Sequence, residues 1–279
     1  MNGLDFRSGF VTTDWLLEHL GRTGLRLVQV GGESHYPRMH LPGAVLVTYP
    51  EFTAQRDGLP AMFPEPADLE RLFGRLGIGV QTPVVVYDLV GGTDAARFAW
   101  TLARAGHAGA RAILDGGLPV WYQRQLPLDS AIPRIEAVTF TARPDAACEA
   151  DREQVLATIA SHAEGMLLDS RSRNEYLGLT LRGPRGHLPG AVHLDWIDTL
   201  MGRQDPRLQS DEALRALYAA IGIDDPTREV IVYCETAHRA AHTWAVLRHL
   251  GWEKVRLYDG SISEWRLYDL PVVAGDTPR

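Results

Sequence analysis

The sequence predicts an α/β protein of two tandem, similar domains, each a mostly parallel sheet with helices on both faces. Three observations lead there. Short runs of β-branched residues alternate with helix-forming stretches, the pattern of strands joined by crossover helices and buried on both sides. A set of motifs occurs twice. His40-Leu41-Pro42-Gly43-Ala44 answers to His187-Leu188-Pro189-Gly190-Ala191, and Leu76-Gly77-Ile78 to Ile221-Gly222-Ile223. Val84-Val85-Val86-Tyr87-Asp88 answers to Val230-Ile231-Val232-Tyr233-Cys234, and the Asp115-Gly116…Trp121 segment to Asp259-Gly260…Trp265. The offsets are 147, 145, 146 and 144 residues, a period far too long for a solenoid. Length agrees: 279 residues suit two domains at about 100–200 residues each.

The elements follow in the same order in both halves. An initial helix, near Asp14 to Leu20 and near Asp151 to Ser161, precedes a short apolar strand, Leu25 to Val30 and Met166 to Asp169. The His-Leu-Pro-Gly-Ala turn leads into another short strand. An amphipathic helix comes next, then the strand carrying Asp88 or Cys234, a further helix, and a last strand ending in Asp-Gly. Between the halves, Leu126 to about Cys148 lacks helical periodicity and reads as a linker wrapping the surface. The expected organisation is a domain over 1–127, a linker over 128–148 and a second domain over 149–279.

Composition narrows the function classes. At 45% hydrophobic and 23% charged, the chain is ordinary for a globular protein. No apolar run approaches membrane-spanning length. The start, Met1-Asn2-Gly3-Leu4-Asp5-Phe6-Arg7, lacks the apolar core of a signal peptide, so a cytoplasmic location is expected. Cys148 and Cys234 are the only cysteines, which argues against a disulfide framework and against a cysteine zinc cluster. A net charge of −7 argues against nucleic acid as the main partner.

The chemistry concentrates at Cys234. A buried strand delivers it to the start of a helix, and ligands of parallel sheets sit beyond the carboxyl ends of the strands. Six residues, Cys234 to Arg239, make the turn into a helix read as beginning at Ala240 and closed by Gly251. At a helix start a cysteine meets N–H groups without intrahelical partners and the positive end of the dipole. Both favour the thiolate, which is the nucleophile. The competing reading is a core cysteine, since free cysteine is among the most buried residue types. The N–H groups of Glu235, Thr236, Ala237, His238 and Arg239 can curl into an anion-binding nest. Arg239 offers rigid donors toward an anionic group. His238 has two readings: its ring assists at the sulfur, or only its N–H matters. Glu235 works against the site, because a carboxylate beside a thiolate opposes ionisation and repels anionic donors.

Taken together, the duplicated His-Leu-Pro-Gly-Ala turns, the duplicated Asp-Gly…Trp segments and the Cys234-to-Arg239 loop resemble the two-domain rhodanese family of sulfurtransferases. The resemblance covers nearly the whole chain. It implies an inactive first domain, where Asp88 replaces the cysteine, and a catalytic second one. It also implies ping-pong transfer of sulfane sulfur through a Cys234 persulfide. The donor is thiosulfate, with 3-mercaptopyruvate as the alternative; the acceptor is cyanide or a thiol. The partners are thus small molecules, with no membrane or nucleic acid, and the protein is expected to be a monomer needing no metal and no organic cofactor. Arg171, in Leu168-Asp169-Ser170-Arg171, matches a family arginine that holds the donor's anionic end, and it is expected to face Cys234. A second family arginine four positions later is replaced by Glu175, with Arg182 and Arg185 as its candidate substitutes. Trp196 reads as a core aromatic or a cleft wall. His40 matches a family relay histidine, with Gln29 where the relay carboxylate stands and Thr236 as the hydroxyl. The preferred reading makes His40 and His187 structural, holding their Pro-Gly turns. The other readings of a Cys…Arg loop are a phosphatase or arsenate reductase, whose loop is one residue longer, and a non-catalytic sulfur carrier.

Overall fold

The computed structural model describes residues 6, 9–161, 165–180, 185–202 and 204–276. The chain divides into two compact units. The first comprises Met1–Ala54, Phe63–Asp145 and Arg203–Leu208, and the second Gln55–Met62, Ala146–Gly202 and Gln209–Arg279.

In chain order, the first half forms β1 (Gly9–Val11), α1 (Thr13–His19), β2 (Arg26–Val30), β3 (Val45–Val47), a ribbon of β4 (Ala54–Arg56) and β5 (Leu59–Met62), and α2 (Pro66–Arg75). Then come β6 (Val84–Tyr87), α3 (Thr93–Arg104), β7 (Arg111–Leu114) and α4 (Gly117–Gln123). The second half forms β8 (Glu149–Ala150), α5 (Arg152–Ser161), β9 (Gly165–Asp169), α6 (Arg173–Leu177), β10 (Val192–His193), β11 (Leu200–Gly202) and β12 (Asp205–Leu208). It closes with α7 (Asp211–Ala220), β13 (Glu229–Tyr233), α8 (His238–His249), β14 (Val255–Tyr258) and α9 (Ser261–Leu267).

Each half holds a five-stranded sheet, ordered β1-β7-β6-β2-β3 and β10-β9-β13-β14-β8. The pairings are parallel. The two orders correspond strand for strand, so the internal repeat is structural as well as sequential. The edge strands β1 and β8 were not legible in the sequence, because three and two residues carry no periodicity. The helices α4 and α9 after each Asp-Gly were missed too.

The strand that carries the site shows why this sequence builds it. Val230, Ile231, Val232 and Tyr233 are all buried, and each such side chain contributes about 1.5–3 kcal/mol. Ile231 and Tyr233 pack with Leu167, Leu188, Tyr258, Ile262 and Trp265, while Val230 and Val232 point to the opposite face. The helix that follows, α8, is buried from Ala240 through Leu247. A strand and helix enclosed this way hold their junction in one position. The last turns of the units are anchored alike: Trp121 Nε1 donates to the Pro127 carbonyl and Trp265 Nε1 to that of Pro271, both at 2.8 Å. Among the described residues, no helix is long and apolar enough to cross a membrane.

Candidate active site

Tyr233 hands the chain to Cys234 at the carboxyl end of β13, in the middle of the sheet. The thiol is fully buried and forms no disulfide. Helix α8 starts at His238, two residues before the start expected from the sequence. Ala237 is the reason. Its φ of 59° places it in the left-handed region, where it caps the helix and turns the chain sharply. For a residue with a Cβ that conformation costs about 1–2 kcal/mol. His238 and Arg239 therefore fall in the first helical turn, with Glu235 and Thr236 before the cap.

Ser261 holds this turn in place. Its Oγ accepts the N–H of Ala237 at 3.0 Å and, more weakly, that of Cys234 at 3.3 Å. The same hydroxyl donates to the Tyr258 carbonyl at 2.8 Å. Further ties run from α9 to the loop. Ile262 N–H reaches the Cys234 carbonyl at 3.2 Å, and the Ser263 hydroxyl reaches that of Glu235 at 2.7 Å. Ser261 itself sits at φ 51° and is fully buried. The sequence did carry a signal for it: the second repeat reads Asp-Gly-Ser where the first reads Asp115-Gly116-Gly117. One expectation changes as a result. The Ala237 N–H, expected to face an anion, is already committed to Ser261.

Arg239 behaves as a loop arginine seeking an anion, and the anion is internal. Its Nη1 and Nη2 donate to the two carboxylate oxygens of Glu175, at 2.7 and 2.8 Å. Glu175 is also the third residue of a capping box on α6, where it accepts from the N–H and hydroxyl of Ser172 at 3.0 and 2.6 Å. Burial pushes its pKa up, but the bonds from Arg239 and Ser172 and the Arg239 charge prevail, and it falls to about 2. Arg239 is pushed up from its ordinary value. Burial opposes its charge, while the Glu175 hydrogen bonds and the charges of Cys234, Glu175 and Asp169 outweigh it. Glu235 has its own partial counter-charge, Arg266 Nη1 at 3.5 Å.

Arg171 departs from expectation. Its guanidinium is fully buried and bound to the Asp169 carboxylate, with Nη2 at 2.6 Å, and Nη2 also donates to the Gly186 carbonyl at 2.7 Å. Its Nε and Nη2 thus tie the end of β9 to the Gly186 backbone; only Nη1 has no hydrogen-bond partner among the described residues. Its pKa is raised: burial works against the charge and the Asp169 bonds overcome that. Of the two candidate substitutes for the second arginine, Arg185 is exposed, and Arg182 lies outside the described residues.

Around the first turn of α8, His238 is half buried. Its charge is felt by the fully enclosed His242, whose pKa is driven down to about 3, first by burial and then by His238. Trp196 is half buried with its ring edge-on to His242, 5.3 Å between centroids. The histidines that open the two Pro-Gly turns are each tied to a tyrosine earlier in the chain. His40 Nδ1 meets the Tyr36 carbonyl at 2.6 Å and His187 Nδ1 that of Tyr176 at 2.9 Å, each imidazole stacked on its tyrosine. Gln29 does not orient His40. Its amide donates to the Gly31 carbonyl and accepts the Tyr87 hydroxyl at 2.8 Å.

The first unit shows what this loop frame does with a carboxyl group. Asp88 ends β6 as Cys234 follows β13, and Leu118 N–H holds its carbonyl at 3.0 Å, as Ile262 holds that of Cys234. Its carboxylate accepts the N–H groups of Val90, Gly92 and Ala95, at 3.0, 2.9 and 3.0 Å. The turn into the helix is a main-chain anion cradle, here filled by the protein's own side chain. Gly92, the left-handed cap at φ 93°, stands one position further from Asp88 than Ala237 stands from Cys234. In place of Ser261 stands Gly117, where a Cβ would lie 2.5 Å from the Asp88 carbonyl. No group of three or more His, Cys, Asp or Glu among the described residues is placed to hold a metal ion.

Two α/β units with parallel sheets, one with a cysteine and one with an aspartate at the same strand end, define a tandem strand–loop–helix protein whose second unit carries the strand-end thiol. The model of the Rhodanese-like domain matches twice, at residues 12–124 and 151–268, and the chain belongs to that family. It is 34% identical over 282 residues to the "Putative thiosulfate sulfurtransferase SseA" of Mycobacterium tuberculosis, covering 96% of this chain and 91% of that one. It is also 34% identical over 259 residues to the "Thiosulfate sulfurtransferase" of Pseudomonas aeruginosa, covering 92% and 94%. Among solved structures, SseA from Escherichia coli, described with the 3-mercaptopyruvate sulfotransferases, superposes with a TM-score of 0.81 at 25% identity, covering 91% and 98%.

Proposed function

We propose that this protein is a thiosulfate-type sulfurtransferase working through a persulfide on Cys234, with 3-mercaptopyruvate as the alternative donor. The observation that carries the reading is the position of the Cys234 thiol between the end of β13 and the capped start of α8, with Arg239 in the first turn of that helix. The names of the relatives support the same chemistry. In the first half-reaction the Cys234 thiolate attacks the outer sulfur of thiosulfate. A new S–S bond forms on Cys234, the S–S bond of the donor breaks, and sulfite leaves with the electron pair. In the second, cyanide or a thiolate attacks the terminal sulfur. The bond to Cys234 breaks and the cysteine thiolate is restored, so no net oxidant or proton is consumed.

The main-chain N–H groups of Glu235, Thr236, His238 and Arg239 stabilise the charge on the persulfide, and Ser261 holds the turn that aims them. Arg171 acts by stiffening the loop after β9, with its single uncommitted Nη1 left for a donor's anionic end. Because the thiol is fully buried, compact donors reach it most readily, which favours thiosulfate over larger molecules. Domains over 1–127 and 149–279, a monomeric state and a cytoplasmic location complete the reading. The test is thiocyanate and sulfite formation from thiosulfate and cyanide. The wild type turns over and Cys234→Ser does not. Turnover retained by Cys234→Ser, or hydrolysis of p-nitrophenyl phosphate without thiocyanate formation, overturns it.

A further inference from the structure

Glu175 is an unusual neighbour for a loop meant to receive anions. Both of its oxygens are taken by Arg239 in a bidentate pair, and Ser172 adds two more bonds to one of them. At about 2, its pKa leaves it fully ionised at any working pH. Two other carboxylates near Arg239 among the described residues are committed elsewhere. Asp169 belongs to Arg171, and Asp195 accepts the Ile197 N–H as the cap of a short helical turn. The first unit offers the comparison: there the protein's own Asp88 carboxylate occupies the cradle. In the second unit a carboxylate again occupies the anion-seeking group, this time from a neighbouring helix and onto the arginine.

Resting on the reading above, we infer that Glu175 is a specificity-determining residue: its carboxylate stands in for the donor's anionic end on Arg239. A multiply charged donor must share or displace it, and a donor of lower charge is penalised less. The penalty is Coulombic, one negative charge a few ångströms from another at a half-buried position, and the guanidinium they share offsets most of it, leaving roughly tenfold in affinity.

Glu175→Gln is the informative variant, because glutamine preserves the capping box on α6 while removing the charge. The first measurement needs no sulfur transfer: calorimetric titration of sulfate into the full-length Cys234→Ser protein, with and without Glu175→Gln. Sulfate is expected to bind about tenfold tighter when Glu175 is replaced, and adding Arg239→Leu should abolish that gain. Equal or weaker binding overturns the inference, weaker binding showing that Glu175 merely positions the arginine; so does a gain that survives Arg239→Leu. The second measurement is KM in the Cys234 protein. Glu175→Gln should lower it more for the dianion thiosulfate than for the monoanion methanethiosulfonate, and equal changes contradict the charge argument. An inactive protein whose sulfate affinity still rises would sink the sulfurtransferase reading alone.

Discussion

Replacing Ser261 isolates the device that shapes the catalytic loop. Ser261→Ala removes the acceptor of two buried N–H groups, at 3.0 and 3.3 Å, and the donor to the Tyr258 carbonyl. Each orphaned buried donor costs about 1–3 kcal/mol, and the longer bond counts toward the lower end, so the expected loss is about 3 kcal/mol. Ser261→Gly loses the same hydroxyl but relaxes a residue held at φ 51°. It should recover about 1 kcal/mol relative to Ser261→Ala. The readouts are urea unfolding and amide exchange of peptides spanning the Cys234–His242 segment. Exchange should speed up in both variants, and more in Ser261→Ala. Unfolding within 0.5 kcal/mol of wild type, together with unchanged exchange in this segment, would refute the claim that the hydroxyl fixes the loop.

Two other outcomes follow from buried titratable groups. Asp88→Ala strips the acceptor from the N–H groups of Val90, Gly92 and Ala95, the last two buried, and should cost about 4 kcal/mol, whereas Asp88→Asn, which keeps an acceptor oxygen, should cost less; equal stability of the alanine variant and wild type in urea would contradict the cradle. His242 has a folded pKa near 3 against an ordinary 6.5, so the unfolded chain binds the extra proton first. Its contribution is complete above pH 6.5 and is lost as pH falls toward 3, with a slope approaching 1.4 kcal/mol per pH unit. His242→Phe should flatten that part of the stability–pH curve, and an undiminished slope would contradict the assignment.

How far the sequence reached depends on how local each feature is. Strands such as Val230–Tyr233 are buried on both faces and read as unbroken apolar runs, and the duplicated turns gave the repeat directly. Cys234 was legible because strand, loop and helix start are contiguous. Three things were not legible, each for a physical reason. The early helix start depends on Ala237 accepting a left-handed backbone, which alanine seldom does without support. That support comes from Ser261, 24 residues away, through one side-chain oxygen. The partner of Arg239 is likewise hidden: Glu175 departs from the family pattern, but nothing in a one-dimensional string aims its carboxylate at a helix 64 residues on. Asp169 stands two positions before Arg171 in the sequence, but that the two close into a buried ion pair depends on how the chain turns after β9, which no local pattern encodes.

The most direct test is the intact mass of the protein after brief exposure to thiosulfate, followed by peptide mapping. One sulfur atom should be found on Cys234, and it should disappear on adding cyanide. No gain, or a gain on Cys148 in its place, would contradict the account.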